Sequence, residues 1–214
     1  MKILNLYAGI GGNRKLWGDE HEVTAVEINP EIAKIYQDFF PKDKVIVADA
    51  HQYLLEHYKE FDFIWSSPPC PTHSRICFSF DESRKRKYPD MTLYEEIIFL
   101  THWFKGKWII ENVRSYYQPL IKPQEISKHF FWANFKILDF NGKRIKVRND
   151  VGQTCEVKMK QKGIIINSFH NYKGDKRTLI NNAIEEKLGL HILNCSQFPT
   201  IMSKNKLDKN IKSK

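Results

Sequence analysis

The stretch SSPPCPTHS, residues 66–74, sets Cys70 behind two prolines and ahead of a third, directly after the apolar run FDFIW. A cysteine that serves packing usually lies inside an apolar run, whereas this one follows the run in a turn stiffened by proline. There a thiol can be presented to a substrate, and its thiolate would be a nucleophile; a structural loop cysteine is the plainer alternative. A second candidate stands in WIIENV, where Glu111 and Asn112 close another apolar run. A buried carboxylate beside a buried amide is costly unless each has partners, and burial raises the acid's pKa so that it can keep or share a proton. A salt-bridged acid at a strand end is the competing reading, and it loses weight because the neighbouring strand end carries the thiol.

Three further positions suit holding a ligand. In YAGIGGNRKLW, Gly9, Gly11 and Gly12 let the backbone turn tightly and approach a ligand closely, and a helix expected from about Asn13 would offer unpaired N–H groups. A plain tight turn explains such glycines equally well. Glu27 in VEINP stands where a carboxylate can accept hydrogen bonds from both hydroxyls of a ribose; a solvated acid capping the helix from Pro30 is the alternative. Asp49 in VADA can accept from an adenine amino group or serve as N-cap of the next helix. A glycine turn and two acids on three successive strand ends suit a nucleoside-containing cofactor. The spacing is GxGG, not GxGxxG, and no lysine follows as in a phosphate-binding loop, so a dinucleotide or ATP is a less natural ligand.

The elements that must position these residues alternate along the first half. Apolar runs KILNLY, EVTAVEI, KVIVAD, FDFIW and KWIIEN read as strands, and NRKLWG, PEIAKIYQDFF, HQYLLEHY and LYEEIIFLTHWF as helices, with a proline-bounded helix near 123–129. Strands and helices in this rhythm predict βαβ units, an α/β fold with a mostly parallel sheet covered on both faces. Ligands of such sheets collect at the carboxyl ends of the strands, where all the candidates lie. After FKILDFNG the pattern shifts to KRIKVR and TCEVKMKQKGIIIN, which read as a small antiparallel, β-rich addition, followed by a helical pattern, TLINNAIEEKLGLHIL. The expected organisation is a core over 1–140, a short basic target-contacting region over 141–174, a C-terminal helix over 175–202 returning to the core, and a disordered basic tail over 203–214.

The chain has 214 residues, enough for one well-buried core, and 42% of them are hydrophobic. No apolar run approaches the ~18 residues that span a bilayer, and the N-terminus begins like a strand, so no membrane is expected and a cytoplasmic protein is. Four cysteines form no CxxC pair and no cluster with zinc spacing, so neither a disulfide frame nor a metal site is indicated. The net charge of +9 falls to +5 without the lysine-rich tail. A basic surface with interleaved aromatics suits a polyanion such as nucleic acid; a merely lysine-rich soluble protein is the alternative.

Taken in order, these motifs resemble the DNA cytosine-5 methyltransferases, in the compact form of phage and prokaryotic enzymes. YAGIGG (7–12) is similar to the family's first motif, with Tyr7 where phenylalanine is usual, and VEINP, VADA and SSPPC are similar to its next three. ENV (111–113) resembles the catalytic acid motif, HFFWANF (129–135) the stretch after the paired arginines, and LINNAI (179–184) a late motif that returns to the cofactor pocket. The resemblance implies a Rossmann-like methyltransferase fold with S-adenosylmethionine as cofactor, held by Tyr7, Ala8, Gly9, Gly11, Gly12, Glu27, Ile28, Asp49, Ala50, Pro69, Asn182 and Ala183. It implies that Cys70 adds to C6 of a flipped cytosine, that Glu111 serves N3, and that Asn112 holds the loop and pocket.

For nucleic acid the resemblance points to Ser74 and to Arg84, Lys85, Arg86 and Lys87 in a segment placed like the family's catalytic loop, though a solvated charge cluster would read the same. Three departures stand out. Pro71 replaces the usual glutamine; Ser127, Lys128 and His129 stand where paired arginines are expected, so His129, Arg144 or Arg148 would take over base positioning; and only about 40 residues separate HFFWANF from LINNAI, too few for the family's usual target-recognition domain. The expected partner is therefore DNA, with RNA as the alternative substrate, and a partner chain that supplies target recognition is a further possibility. A protein that binds cofactor and nucleic acid without catalysis is the reading from a different class.

Overall fold

The computed structural model describes residues 1–75, 88–140, 142 and 154–198. Its centre is a seven-stranded sheet in the order β3-β2-β1-β4-β5-β7-β6. The strands are β1 (Lys2–Leu6), β2 (Glu22–Val26), β3 (Lys44–Ile46), β4 (Phe63–Ser66), β5 (Lys107–Val113), β6 (Gln124–Ile126) and β7 (His129–Ala133). The first five pair in parallel with one another, and β7 runs antiparallel to both β5 and β6. From β1 the chain steps outward through β2 to β3 and then returns to lay β4 on the other side of β1, so the topological switch lies between β1 and β4. A crevice opens at such a switch because the connections on its two sides leave in opposite directions.

Both faces are covered, as near-continuous apolar strands require. On one face Leu4, Leu6, Ile64, Trp108, Ile110 and Trp132 pack with α2 (Ala50–His57) and α3 (Thr92–Trp103). On the other, Ile3, Phe63, Trp65, Ile109 and Phe131 pack with Trp17 and with Leu188, Ile192 and Leu193 of α6 (Glu186–Gln197). Each such fully buried aliphatic side chain contributes about 1.5–3 kcal/mol relative to exposure. The period-two alternation along β5 places Glu111 on the α6 face with Ile109, and Asn112 on the α3 face with Ile110. Among the described residues no helix is long and apolar enough to cross a membrane.

Four segments differ from the expected elements. NRKLWG is a chain of tight turns, with Arg14 N–H bonded to Gly11 O and Trp17 N–H to Arg14 O, and it is no regular helix. Tertiary contacts override its helical pattern: Asn13 donates to Asn5 at 2.8 Å, and buried Arg14 pairs with Asp43 at 2.9 Å. The segment expected as a helix near 123–129 is the β6–β7 hairpin, in which Gln124 donates to Phe135 O and accepts from Ile137 N–H. TCEVKMKQK forms helix α4 (Cys155–Lys162), not a strand, capped by Thr154 at its start and by Gly163 at φ 63° at its end. The helical pattern near the C-terminus is two helices, α5 (Lys176–Asn182) and α6, separated at Ala183–Glu185. KRIKVR and the tail over 203–214 lie outside the described residues.

Candidate active site

The carboxyl edge of the sheet gathers the candidates around the switch point. After β1 the chain enters the left-handed region at Tyr7 (φ 53°), Gly9 (φ 54°) and Gly11 (φ 74°). A Cβ built on Gly9 would meet nothing within 4 Å, so this turn faces open space, whereas one on Gly12 would stand 2.5 Å from Ile184 O. Glycine is therefore required at 12 because the α5–α6 turn, with Ala183, packs directly on the loop. Ala8 is buried, and exposed Asn182 ends α5 beside this contact. Lys162 of α4 reinforces the junction by donating to Asn181 O and Ala183 O at 2.6 and 2.7 Å. Its own burial and the neighbouring Lys158 push its ammonium down to about 8.

Glu27 is not a solvated cap. It is 8% exposed, accepts from Gly9 N–H at 3.0 Å and from Asn29 N–H at 2.9 Å, and leaves the capping of α1 (Pro30–Phe39) to Asn29. Burial pushes its carboxyl above the usual range, opposed by the N–H groups of Asn29, Gly9 and Ile28. Ile28 is 65% exposed beside it, a large apolar side chain at the lip of the crevice. Asp49 caps α2 by accepting from Gln52 N–H at 2.8 Å while remaining exposed, and Ala50 is buried behind it. A glycine turn over open space, a strand-end carboxylate and an exposed apolar flank fit a nucleoside that offers ribose hydroxyls and a flat base.

The Cys70 turn lies across the switch point from the glycines. Register pairs Ser66 of β4 with Ile110 of β5, so the residues after Ser66 and those after Ile110 leave the same edge on adjacent strands. Asn112, 1% exposed, donates to Pro68 O at 3.0 Å and so ties the Pro68–Cys70 segment to the end of β5. Pro69 is exposed and Cys70 half-buried. Beyond the sulfur, His73 and Ser74 N–H both return to Cys70 O at 3.0 Å, and Ser74 bridges to Ser115. The turn is thus clamped between two segments of the β5 end. His73, where burial lowers the imidazole pKa, contacts the Tyr117 hydroxyl at 2.6 Å.

Glu111 faces the other side of β5, 8% exposed, with Oε1 2.6 Å from Nδ1 of His129. The structure therefore brings together Tyr7 to Gly12, Glu27, Asp49, Cys70, Ser74, Glu111, Asn112, His129, Asn182 and Ala183 at one edge. Arg84, Lys85, Arg86, Lys87, Arg144 and Arg148 lie outside the described residues. One acid escaped the sequence reading: Glu96 of α3, fully buried, accepts from Tyr7 Oη at 2.7 Å and Ser66 Oγ at 2.6 Å and contacts His51 at 3.3 Å. Its signal was present in LYEEIIFL, where an acid falls on the apolar stripe of Leu93, Ile97 and Leu100. The Tyr7 hydroxyl is consumed by this contact, and burial with the Glu96 charge raises its pKa.

Residues 1–129 match the family described as C-5 cytosine-specific DNA methylase, more than half of the chain. Among curated proteins, the tRNA (cytosine(38)-C(5))-methyltransferase of Rattus norvegicus is 28% identical over 92 residues, 40% of this chain and 24% of that protein. The tRNA (cytosine(38)-C(5))-methyltransferase of Spodoptera frugiperda is 35% identical over 91 residues, 40% of this chain and 27% of that protein. The matched stretch thus spans about a quarter of those relatives. Among solved structures, the Entamoeba histolytica methyltransferase EhMeth superposes with a TM-score of 0.55 at 11% identity, over 91% of this chain and 97% of that one, which shows a shared methyltransferase fold.

Proposed function

The chain belongs to the C-5 cytosine-specific DNA methylase family, and on that premise we propose that it methylates C5 of cytosine in DNA through a covalent bond between Cys70 and C6. The observation that carries this reading is the tie from Asn112 to Pro68, which joins the thiol-bearing turn to the strand that bears Glu111. In this reading S-adenosylmethionine supplies an electrophilic methyl group when held by the glycine turn, with Glu27 on the ribose, Ile28 against the base and Asp49 near the adenine amino group.

The chain's own residues account for the rest. C5 of cytosine is a weak nucleophile, and addition of the Cys70 thiolate at C6 makes the ring enamine-like at C5. Glu111 holds a proton at N3 and so disperses the charge that addition creates. Asn112 fixes the turn, because a sulfur misplaced by an ångström loses much of its reactivity. Loss of the C5 proton and departure of the thiolate restore the ring. Neither C5 nor C6 is reachable in a stacked duplex, so the target nucleotide must swing out, at a cost least for an unpaired base. The short chain between β7 and α5 favours relaxed sequence selectivity or target recognition by a partner chain.

A second reading, methylation of cytosine in transfer RNA, is favoured by the two curated relatives. Side-by-side incubation with methyl-labelled S-adenosylmethionine and either duplex DNA or transfer RNA separates them. Label in DNA as 5-methylcytosine, absent with Cys70→Ala, is expected. Label in RNA alone replaces the substrate, and label in neither overturns the enzyme.

A further inference from the structure

We propose that His129 is the positioning residue for Glu111: its ring N–H engages Oε1 and fixes the direction in which the carboxyl is offered to the base. This rests on the cytosine-5 methyltransfer reading and deepens it at one atom. The geometry is built by the β6–β7 hairpin. Its two-residue turn, with Ser127 at φ 58°, starts β7 at His129, which pairs with Val113, while Glu111 pairs with Phe131. His129 and Glu111 are therefore diagonal neighbours on one face, within reach of a long side chain. Their heavy atoms are 2.6 Å apart, a separation that requires a hydrogen between them.

The hairpin holds that imidazole in place. Arg114 Nη2 donates to Ser127 O at 2.9 Å and pairs with Glu125, which anchors the turn to the end of β5, and the His129 ring lies 6.1 Å from that of Phe131. Both side chains are largely enclosed, Glu111 at 10% and His129 at 29% exposure, so water competes little for the contact. Charged and titratable groups on the flanking elements are Arg114 with Glu125, Lys128 on the turn, and Cys70 and His73 across the β4 end.

In this role the imidazole moves no proton: N3 takes its proton from the Glu111 carboxyl as sulfur bonds to C6 and returns it when the S–C6 bond breaks, so nothing beyond the parent step is needed.

Two variants of the full chain test it: His129→Gln, which keeps a hydrogen-bond donor that cannot give up its proton, and His129→Phe, which keeps only the ring packing. Affinity for S-adenosylmethionine should stay within about threefold of wild type, while single-turnover methyl transfer to the nucleic acid that wild type modifies reports the contact. Loss of the donor should slow transfer by roughly tenfold to a hundredfold in His129→Phe, as expected of a misplaced reacting group, and His129→Gln should recover it to within about threefold of wild type. Equal deficits in the two variants, or full activity in both, overturn the proposal, as does loss of cofactor binding in both variants. Wild-type inactivity on DNA and RNA alike overturns the parent reading and this one with it, and is recognised by the wild-type lane alone.

Discussion

Two carboxylates sit near the carboxyl edge of this sheet, and each touches a histidine. Glu96 rises from α3 beneath the β1 and β4 ends; Glu111 ends β5 on the opposite face. Glu96 is 0% exposed and gathers the Tyr7 and Ser66 hydroxyls and the His51 ring around its two oxygens. Glu111 is 8% exposed and, among the described residues, meets one imidazole. A carboxylate whose lone pairs are saturated by fixed donors stabilises the fold and has little left for a substrate. One that is enclosed but incompletely engaged is poised for chemistry. Burial alone would class the two acids together; their partners separate them.

Substitutions should pull the two acids apart. The largest effect is expected from Glu111→Gln, which should lower methyl transfer about 10²–10⁴-fold in single-turnover assays while leaving the melting temperature near wild type. Glu96→Ala should do the reverse. It leaves the Tyr7 and Ser66 hydroxyls without their acceptor and the His51 ring with Glu95 alone, costing about 2–4 kcal/mol in urea unfolding, with the remaining folded protein still active. Equal losses of activity and stability in both variants would erase the distinction. Tyr7→Phe removes one donor to Glu96 and should cost about 1 kcal/mol, with little change in cofactor affinity. A large loss of cofactor affinity instead would give the tyrosine hydroxyl a direct role.

The smallest effect is electrostatic. The hydrogen bond to Glu96 raises His51's pKa above 6.5, against a smaller desolvation cost, with Glu96, Glu95 and Asp49 charges adding to the rise. A raised histidine stabilises the fold fully below its unfolded value, and that stabilisation is lost as pH climbs through the folded value. The melting-temperature gap between wild type and His51→Gln should be widest near pH 5.5 and close toward pH 8.5. The contribution is below about 1 kcal/mol, because the ring is partly solvated.

Much of the fold was legible because the five parallel strands are short, uninterrupted apolar runs, and each delivers its polar residue at the same end. Glu27, Cys70, Glu111 and Asn112 could be read by position alone for that reason. The misread segments share a cause, since local pattern there is overruled by partners distant in sequence. NRKLWG carries helical residues, yet Arg14 is drawn to Asp43 and Asn13 to Asn5. The 124–133 hairpin depends on Gln124 reaching Phe135 and Ile137, and TCEVKMKQK alternates like a strand while Thr154 and Gly163 supply helix caps. Glu96 is masked in the sequence because it shares a helix face with Leu93, Ile97 and Leu100, whose apolar pattern dominates that stretch. The His129 contact follows from the hairpin register, which cannot be inferred while 123–129 is taken as a helix.

The central claim is that Cys70 bonds to C6 of a cytosine whose N3 is served by Glu111. It is met most directly by incubating the chain and S-adenosylmethionine with a duplex carrying 5-fluorocytosine, whose C5 fluorine blocks the elimination that would release the sulfur. Intact-mass analysis should then show a protein–DNA adduct that is absent with Cys70→Ala. No adduct in the presence of cofactor, or an adduct that survives the Cys70→Ala substitution, would contradict it.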